Sequence, residues 1–149
     1  MSYRRLLACT DGSARARKAV ATAARLARAC GAQLTVLFVM PPYVLPAYGE
    51  AAQFVPGVTP ALYKQHADAL ARQVLVPAAR IAREAGMDCE TLAVNADQPW
   101  SGVLHAARRR KCDLIVMASH GRRGTSALLL GSETVKVLTH SKIPVLVCR

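Results

Sequence analysis

Aromatic residues are scarce in this chain: Phe, Trp and Tyr together make up 5% of it. A core must therefore be assembled mainly from Ala, Val, Leu and Ile, and no aromatic-interleaved RNA-binding signature is present. Acidic residues are also few, 9 against 20 Lys and Arg, for a formal net charge of +11. Such a balance draws polyanions and acidic metabolites. Neither helix-turn-helix nor zinc-finger spacing accompanies it, however, and the cations fall where solvated helix faces and helix C-termini place them. Arg15, Lys18, Thr22 and Arg25 recur at three- and four-residue intervals, and Arg108-Arg109-Arg110-Lys111 closes a predicted helix. Nucleic acid is therefore not an expected partner. No stretch approaches the ~20 apolar residues of a membrane span, and the N-terminal apolar run is too short for a signal peptide. The five cysteines form no C-x-x-C, so free thiols and a cytoplasmic location are expected. The absence of G-K-[ST] excludes P-loop chemistry.

What is present is an alternation of apolar runs and amphipathic stretches. The 149 residues, 52% of them hydrophobic, fit one domain spanning 1–149. Strands are predicted at Leu6–Thr10, Gln33–Met40, Cys89–Val94, Leu114–Ala118 and Ile143–Cys148. The first helix, about Ala14 to Cys30, buries Ala16, Ala19, Val20, Ala23, Ala27 and Cys30, with Gly31 as its stop. The longest, about Ala61 to Ala85, carries a stripe of Leu62, Ala69, Leu70, Val74, Ala78, Ile81 and Ala85, with a kink expected at Pro77. A third helix runs to about Lys111 and a fourth covers Ser132 to His140. Between Pro41 and Pro60 lies a long Pro/Gly-rich loop whose Tyr43, Tyr48 and Phe54 are expected to pack down. The order βαβαβαβαβ predicts a parallel, doubly wound sheet with right-handed crossovers.

The stretch Asp113-Leu114-Ile115-Val116-Met117-Ala118-Ser119-His120-Gly121 is a buried strand running into a glycine loop, which continues through Arg122, Arg123 and Gly124 to Gly131-Ser132. A glycine loop ending at a helix start presents backbone N–H groups to an anion, most often a phosphate. If the first strand is central, a crevice opens between it and the fourth. Thr10 and Asp11 arrive there from one side, and Ala118, Ser119, His120 and Gly121 from the other. Gly121 and Gly124 let backbone approach phosphates, Gly131 and Ser132 offer amides and a hydroxyl, and Arg122 and Arg123 add charge. Simpler roles compete: a turn for the glycines, helix capping for Asp11 and Ser132, and loop hydrogen bonding for His120.

At these residues the chain resembles the universal stress protein family. The resemblance covers nearly the whole chain: the opening strand ending Thr10-Asp11-Gly12-Ser13, Gly31-Ala32, the Asp113–Met117 strand, the glycine loop, and the closing Pro144-Val145-Leu146-Val147. The ATP-binding branch carries Gly-x-x-Gly, nine residues, then Gly-Ser or Gly-Thr. Gly121, Arg122–Leu130 and Gly131-Ser132 reproduce the second part, while Ala118 replaces the first glycine and Cys9 stands where the family has proline.

The resemblance implies a five-stranded sheet of order 3-2-1-4-5, of the adenine nucleotide alpha-hydrolase-like type. It implies ATP as ligand, accompanied by Mg²⁺ held largely by the phosphates. Asp11 would contact adenine, and Val39, Met117 and Ala118 would line the base pocket. Thr10, His120, Gly121, Arg122, Arg123, Gly124, Gly131, Ser132 and Glu133 would complete the site. A homodimer through the last strand, with Ile143, Val145, Leu146 and Val147 at its interface, also follows from the resemblance. No activated nucleophile or acid–base pair is visible, so hydrolysis is expected to be slow or absent. The expected function is a nucleotide-binding sensor or regulator of the stress response. The alternative is a dimeric scaffold of the same fold that binds no nucleotide, which Ala118 and Cys9 favour.

Overall fold

A computed structural model describes residues 2–40, 60–122 and 129–149. Its elements run β1 (Arg5–Cys9), α1 (Ala14–Cys30), β2 (Gln33–Met40), α2 (Pro60–Glu84), β3 (Glu90–Asn95), α3 (Pro99–Arg109), β4 (Leu114–Ala118), α4 (Ser132–His140) and β5 (Val145–Cys148). The strands pair in parallel in the order β3-β2-β1-β4-β5, the expected one. The expectations for Tyr43, Tyr48 and Phe54, and for Arg123 and Gly124, lie outside the described residues.

Alternation along each strand splits the core into two layers. Leu6, Ala8, Leu34, Val36, Phe38, Leu114 and Val116 pack under α1 and α2. Leu7, Leu37, Ile115 and Met117 face the other way, under α3 and α4. With small side chains at Ala19, Ala23, Ala24 and Ala27, all fully buried, α1 lies close on the sheet.

Several boundaries and faces differ from expectation. The first strand ends at Cys9, although the Thr10 N–H still donates to the Leu37 carbonyl at 2.9 Å. The third starts at Glu90, leaving Cys89 before it. The last starts at Val145, because Pro144 has no N–H to give. Along α2, Leu62 and Ala69 are exposed, and Leu75 and Ala82 take the core positions instead. Helix α2 also continues through Pro77; Val74, Leu75 and Ala78 around it are buried, and their packing offsets the missing donor.

Three helices close in the same way. Gly31 at the end of α1 (φ 63) and Gly86 at the end of α2 (φ 78) are left-handed. Each completes a pair of bonds, Gly31 N–H to Arg28 and Ala32 N–H to Ala27, then Gly86 N–H to Arg83 and Met87 N–H to Ala82. Lys111 N–H to Arg108 and Cys112 N–H to Ala107 repeat the pattern after α3, but with a lysine at φ 52. A side chain in that region costs about 1 kcal/mol. Lys111→Gly is expected to stabilise the protein by about 0.5–1 kcal/mol, net of the looser unfolded chain. A urea midpoint that fails to rise contradicts this.

At the start of β4, the Asp113 carboxylate accepts the Arg4 and Arg5 N–H groups at 2.8 and 3.0 Å. It joins the leading ends of β1 and β4 and so fixes the register that brings their far ends level.

Candidate functional site

The far ends of β1, β2 and β4, with the first turns of α3 and α4, enclose a cleft of about 590 Å³. Its position is the switch point, where β1 feeds a helix on one face and β4 a helix on the other. The size lies within the range of small-molecule sites. Every candidate among the described residues lines it: Thr10, Asp11, Val39, Met117, Ala118, His120, Gly121, Arg122, Gly131, Ser132 and Glu133. The wall toward the sheet is apolar, from Leu37, Val39, Met117, Ala118, Val103 and Val137; the rim is polar.

The geometry of Asp11 was not legible from spacing. One carboxylate oxygen accepts the Ser13 N–H at 2.9 Å, and the other accepts the Arg122 N–H at 2.8 Å, across 111 positions of sequence. Asp11 thus clasps the β1–α1 turn to the loop after β4. Each oxygen keeps a further lone pair for a ligand. Gly121 is the residue that permits the clasp: a Cβ there would stand 2.7 Å from Asp11 Oδ2. The Arg122 guanidinium lies over Gly12, whose φ of 80 also suits glycine. The capping of α1 falls to Ser13, whose hydroxyl oxygen accepts the Ala16 N–H.

The start of α4 is different. Gly131 gives no side-chain cap, and its own N–H donates to the Ser119 carbonyl at 2.8 Å. The amides of Ser132, Glu133 and Thr134 have no acceptor among the described residues, and these residues line the cleft. They are the orphan donors of a helix start, at the positive end of its dipole. The Glu133 carboxylate is already occupied: it accepts the Trp100 N–H at 2.8 Å and pairs with Lys136 at 3.2 Å. His120 is buried, with Nδ1 3.1 Å from the Ser119 hydroxyl.

Several cleft residues were missed by sequence reasoning, among them Pro99, Trp100 and Thr134. Pro99 and Trp100 open α3 beside the cleft, and Trp100 stacks on His140 with ring centroids 4.7 Å apart. Helix starts in a doubly wound sheet lie at the ligand end, so the chain's one tryptophan at such a start was the available clue. Buried Thr134 donates to the Ala118 carbonyl at 3.1 Å, tying α4 to the end of β4. Nothing in its spacing announces that role.

Cys9 also reaches the cleft. Burial, with Cys112 adding to it, pushes its thiol up to about 12. Burial also raises Cys89, Cys112 and Cys148, and all five cysteines are free. An unfolded thiol ionises near about 8.5, so above that pH the unfolded chain releases protons that the native protein keeps. Stability is therefore full below about pH 8.5 and is lost as pH rises through the thiols' native range. The denaturant midpoint is expected to fall between pH 8.5 and 10, and to fall less steeply in Cys9→Val; equal slopes for the two proteins contradict this.

Among the described residues no group of three or more His, Cys, Asp or Glu could hold a metal ion, and no helix is long and apolar enough to cross a membrane.

Fold and cleft together define the class: a doubly wound α/β domain with its ligand cleft at the switch point. The chain belongs to the Universal stress protein family, which it matches over residues 2–149. A universal stress protein of Thermus aquaticus, encoded in the QAH/OAS sulfhydrylase 3' region, is 34% identical over 148 residues, covering 99% of each chain. The crystal structure of a universal stress protein in complex with cAMP superimposes with a TM-score of 0.70 at 25% identity, covering 100% of this chain and 98% of that one. The universal stress protein of Archaeoglobus fulgidus in complex with dAMP gives 0.69 at 19% identity, covering 100% of both, a likeness of fold.

Proposed function

We propose that this chain binds an adenine nucleotide, ATP in the first instance, and serves as a stress-response sensor or regulator rather than a fast enzyme. The observation that carries the reading is the meeting, in one cleft, of an apolar wall and an uncapped helix start. Leu37, Val39, Met117 and Ala118 suit a base, and the amides of Ser132, Glu133 and Thr134 suit a phosphate tail. Asp11 serves twice, holding the Arg122 amide and offering its remaining lone pairs to the nucleoside. Mg²⁺ would arrive with the phosphates, since among the described residues the cleft offers it little beyond Asp11. The cAMP and dAMP complexes of two structural relatives support an adenylate as the ligand class.

Two further parts belong to the proposal. Strand β5 forms a sheet edge, and Leu146 on it and Val135 and Leu138 on α4 are exposed apolar residues. A bare edge with apolar neighbours pairs readily, so β5 is our choice for a homodimer interface. A cytoplasmic location and a single domain over 1–149 complete the reading, the first supported by the free thiols.

Equilibrium dialysis with labelled ATP tests the reading. A Cβ at Gly131 would meet the Ser119 carbonyl at 3.2 Å and His120 Cα at 3.4 Å, so Gly131→Val should tilt the helix start. Wild type is expected to bind and Gly131→Val to bind at least about tenfold more weakly. Equal, poor binding by both at millimolar ATP favours the scaffold.

A further inference from the structure

A second hollow, of about 330 Å³, lies at the opposite end of the sheet. It sits between the last turn of α3 and the leading ends of β1, β2 and β3. The register explains what faces it. Arg5 pairs with Gln33, and Thr35 with Glu90. Partners in register share a face, as do residues two apart, so all four side chains point toward α3. Arg109, Arg110 and Lys111 come down on them from above.

The charges there are unevenly matched. Arg110 takes Glu90 in a two-pronged grip, at 2.7 and 3.1 Å, which uses both carboxylate oxygens. Asp113, behind the wall, is turned to the Arg4 and Arg5 amides. Arg5, Arg109 and Lys111 have no carboxylate within 4.0 Å among the described residues. At the base stands Thr35, only 9% exposed as a residue, which lines the hollow. Its hydroxyl makes no hydrogen bond to the described residues and, since no buried side-chain polar atom among them is left unpaired, it opens to solvent there. A hydroxyl open to the hollow is free to donate to whatever enters it. Helix capping accounts for cations at the end of α3. It does not account for Arg5, which comes from a strand and faces the same hollow.

We infer that this hollow is a second ligand site, independent of the nucleotide reading, for a small oxyanion with two or more negative charges, of the pyrophosphate kind. Arg5, Arg109 and Lys111 supply the charge, and the Thr35 hydroxyl donates a hydrogen bond at the base. With no aromatic or extended apolar wall, the hollow offers a nucleoside nothing to stack on. The left-handed backbone at Lys111 fits the same account: a lysine held where the other two closures have glycine keeps a cation at the rim.

Calorimetric titration of the full chain with pyrophosphate at low salt tests the assignment. Saturable binding is expected in wild type and in Gly131→Val. It should weaken by about tenfold or more in Arg109→Gln/Lys111→Gln and several-fold in Thr35→Val. Lys111→Gly should bind more weakly while becoming more stable. The inference fails if pyrophosphate does not saturate at millimolar concentration, or if binding is unaffected by these substitutions. It fails equally if Gly131→Val alone abolishes binding, which would place the anion in the cleft. A Lys18→Gln/Arg25→Gln control on the outer face of α1 that weakens binding as much would reduce it to diffuse surface charge. Because Gly131→Val acts at the other end of the sheet, failure of the nucleotide reading leaves this result unchanged.

Discussion

Gly121→Val should lose adenylate binding by about a hundredfold and about 1–3 kcal/mol of stability with it. The first added carbon would stand 2.7 Å from Asp11 Oδ2, the atom that holds the Arg122 amide at 2.8 Å. Neither partner can retreat cheaply. Asp11 is fixed through its other oxygen to Ser13, and the Gly121–Arg122 segment leaves a fully buried strand. The clasp must open, freeing one amide and swinging the loop away from the β1 turn. Both halves of the proposed site move apart, so binding suffers more than stability. Asp11→Asn keeps the shape but gives up one acceptor oxygen, and is expected to fall between Gly121→Val and wild type. Dialysis and urea unfolding on the three proteins check the order; wild-type affinity in Gly121→Val would remove the clasp from the account.

Gly102→Val should be the most destabilising single substitution on α3, at about 2–3 kcal/mol. Gly102 is buried where α3 crosses the sheet. A Cβ there would meet Val39 Cγ1 at 2.8 Å and Ala96 Cβ at 2.9 Å. A valine has one preferred rotamer and an alanine none to change, so the helix itself must lift. Helix propensity favours valine over glycine by only a few tenths of a kcal/mol, too little to reverse the sign. Lifting α3 also withdraws Pro99 and Trp100 from the cleft and unseats Val39. Adenylate affinity should therefore drop alongside the unfolding midpoint. A midpoint within about 0.5 kcal/mol of wild type contradicts the packing argument.

Most of the architecture was legible because it is written in local periodicities. Leu6–Ala8, Leu34–Phe38 and Leu114–Met117 are continuous apolar runs, which strands buried on both faces require. Ser13 and Gly31 mark the ends of α1 as their chemistry dictates. Errors came where composition is ambiguous. Alanine is at home on either side of a helix, so the α2 stripe took in Ala69 and missed Ala82. Pro77 reads as a break only until the packing around it is known.

For the site, residue type and topology sufficed to bring Thr10, Asp11, His120, Gly121, Gly131 and Ser132 together. What they do to one another was not legible. The Asp11 to Arg122 bond, the Glu133 carboxylate on the Trp100 amide and the Thr134 hydroxyl on the Ala118 carbonyl all join separate elements. Such bonds depend on angles between helix and sheet that no single sequence encodes locally. The family resemblance gave the order of the strands, and the chain's own residues gave the clasp.

The most direct test is a crystal structure grown with saturating ATP and Mg²⁺. The account predicts density for one nucleotide per chain, its base against Val39 and Met117 and its phosphates on the amides of Ser132 and Glu133. A cleft without nucleotide at that concentration, or an adenine seated anywhere else on the chain, would contradict it.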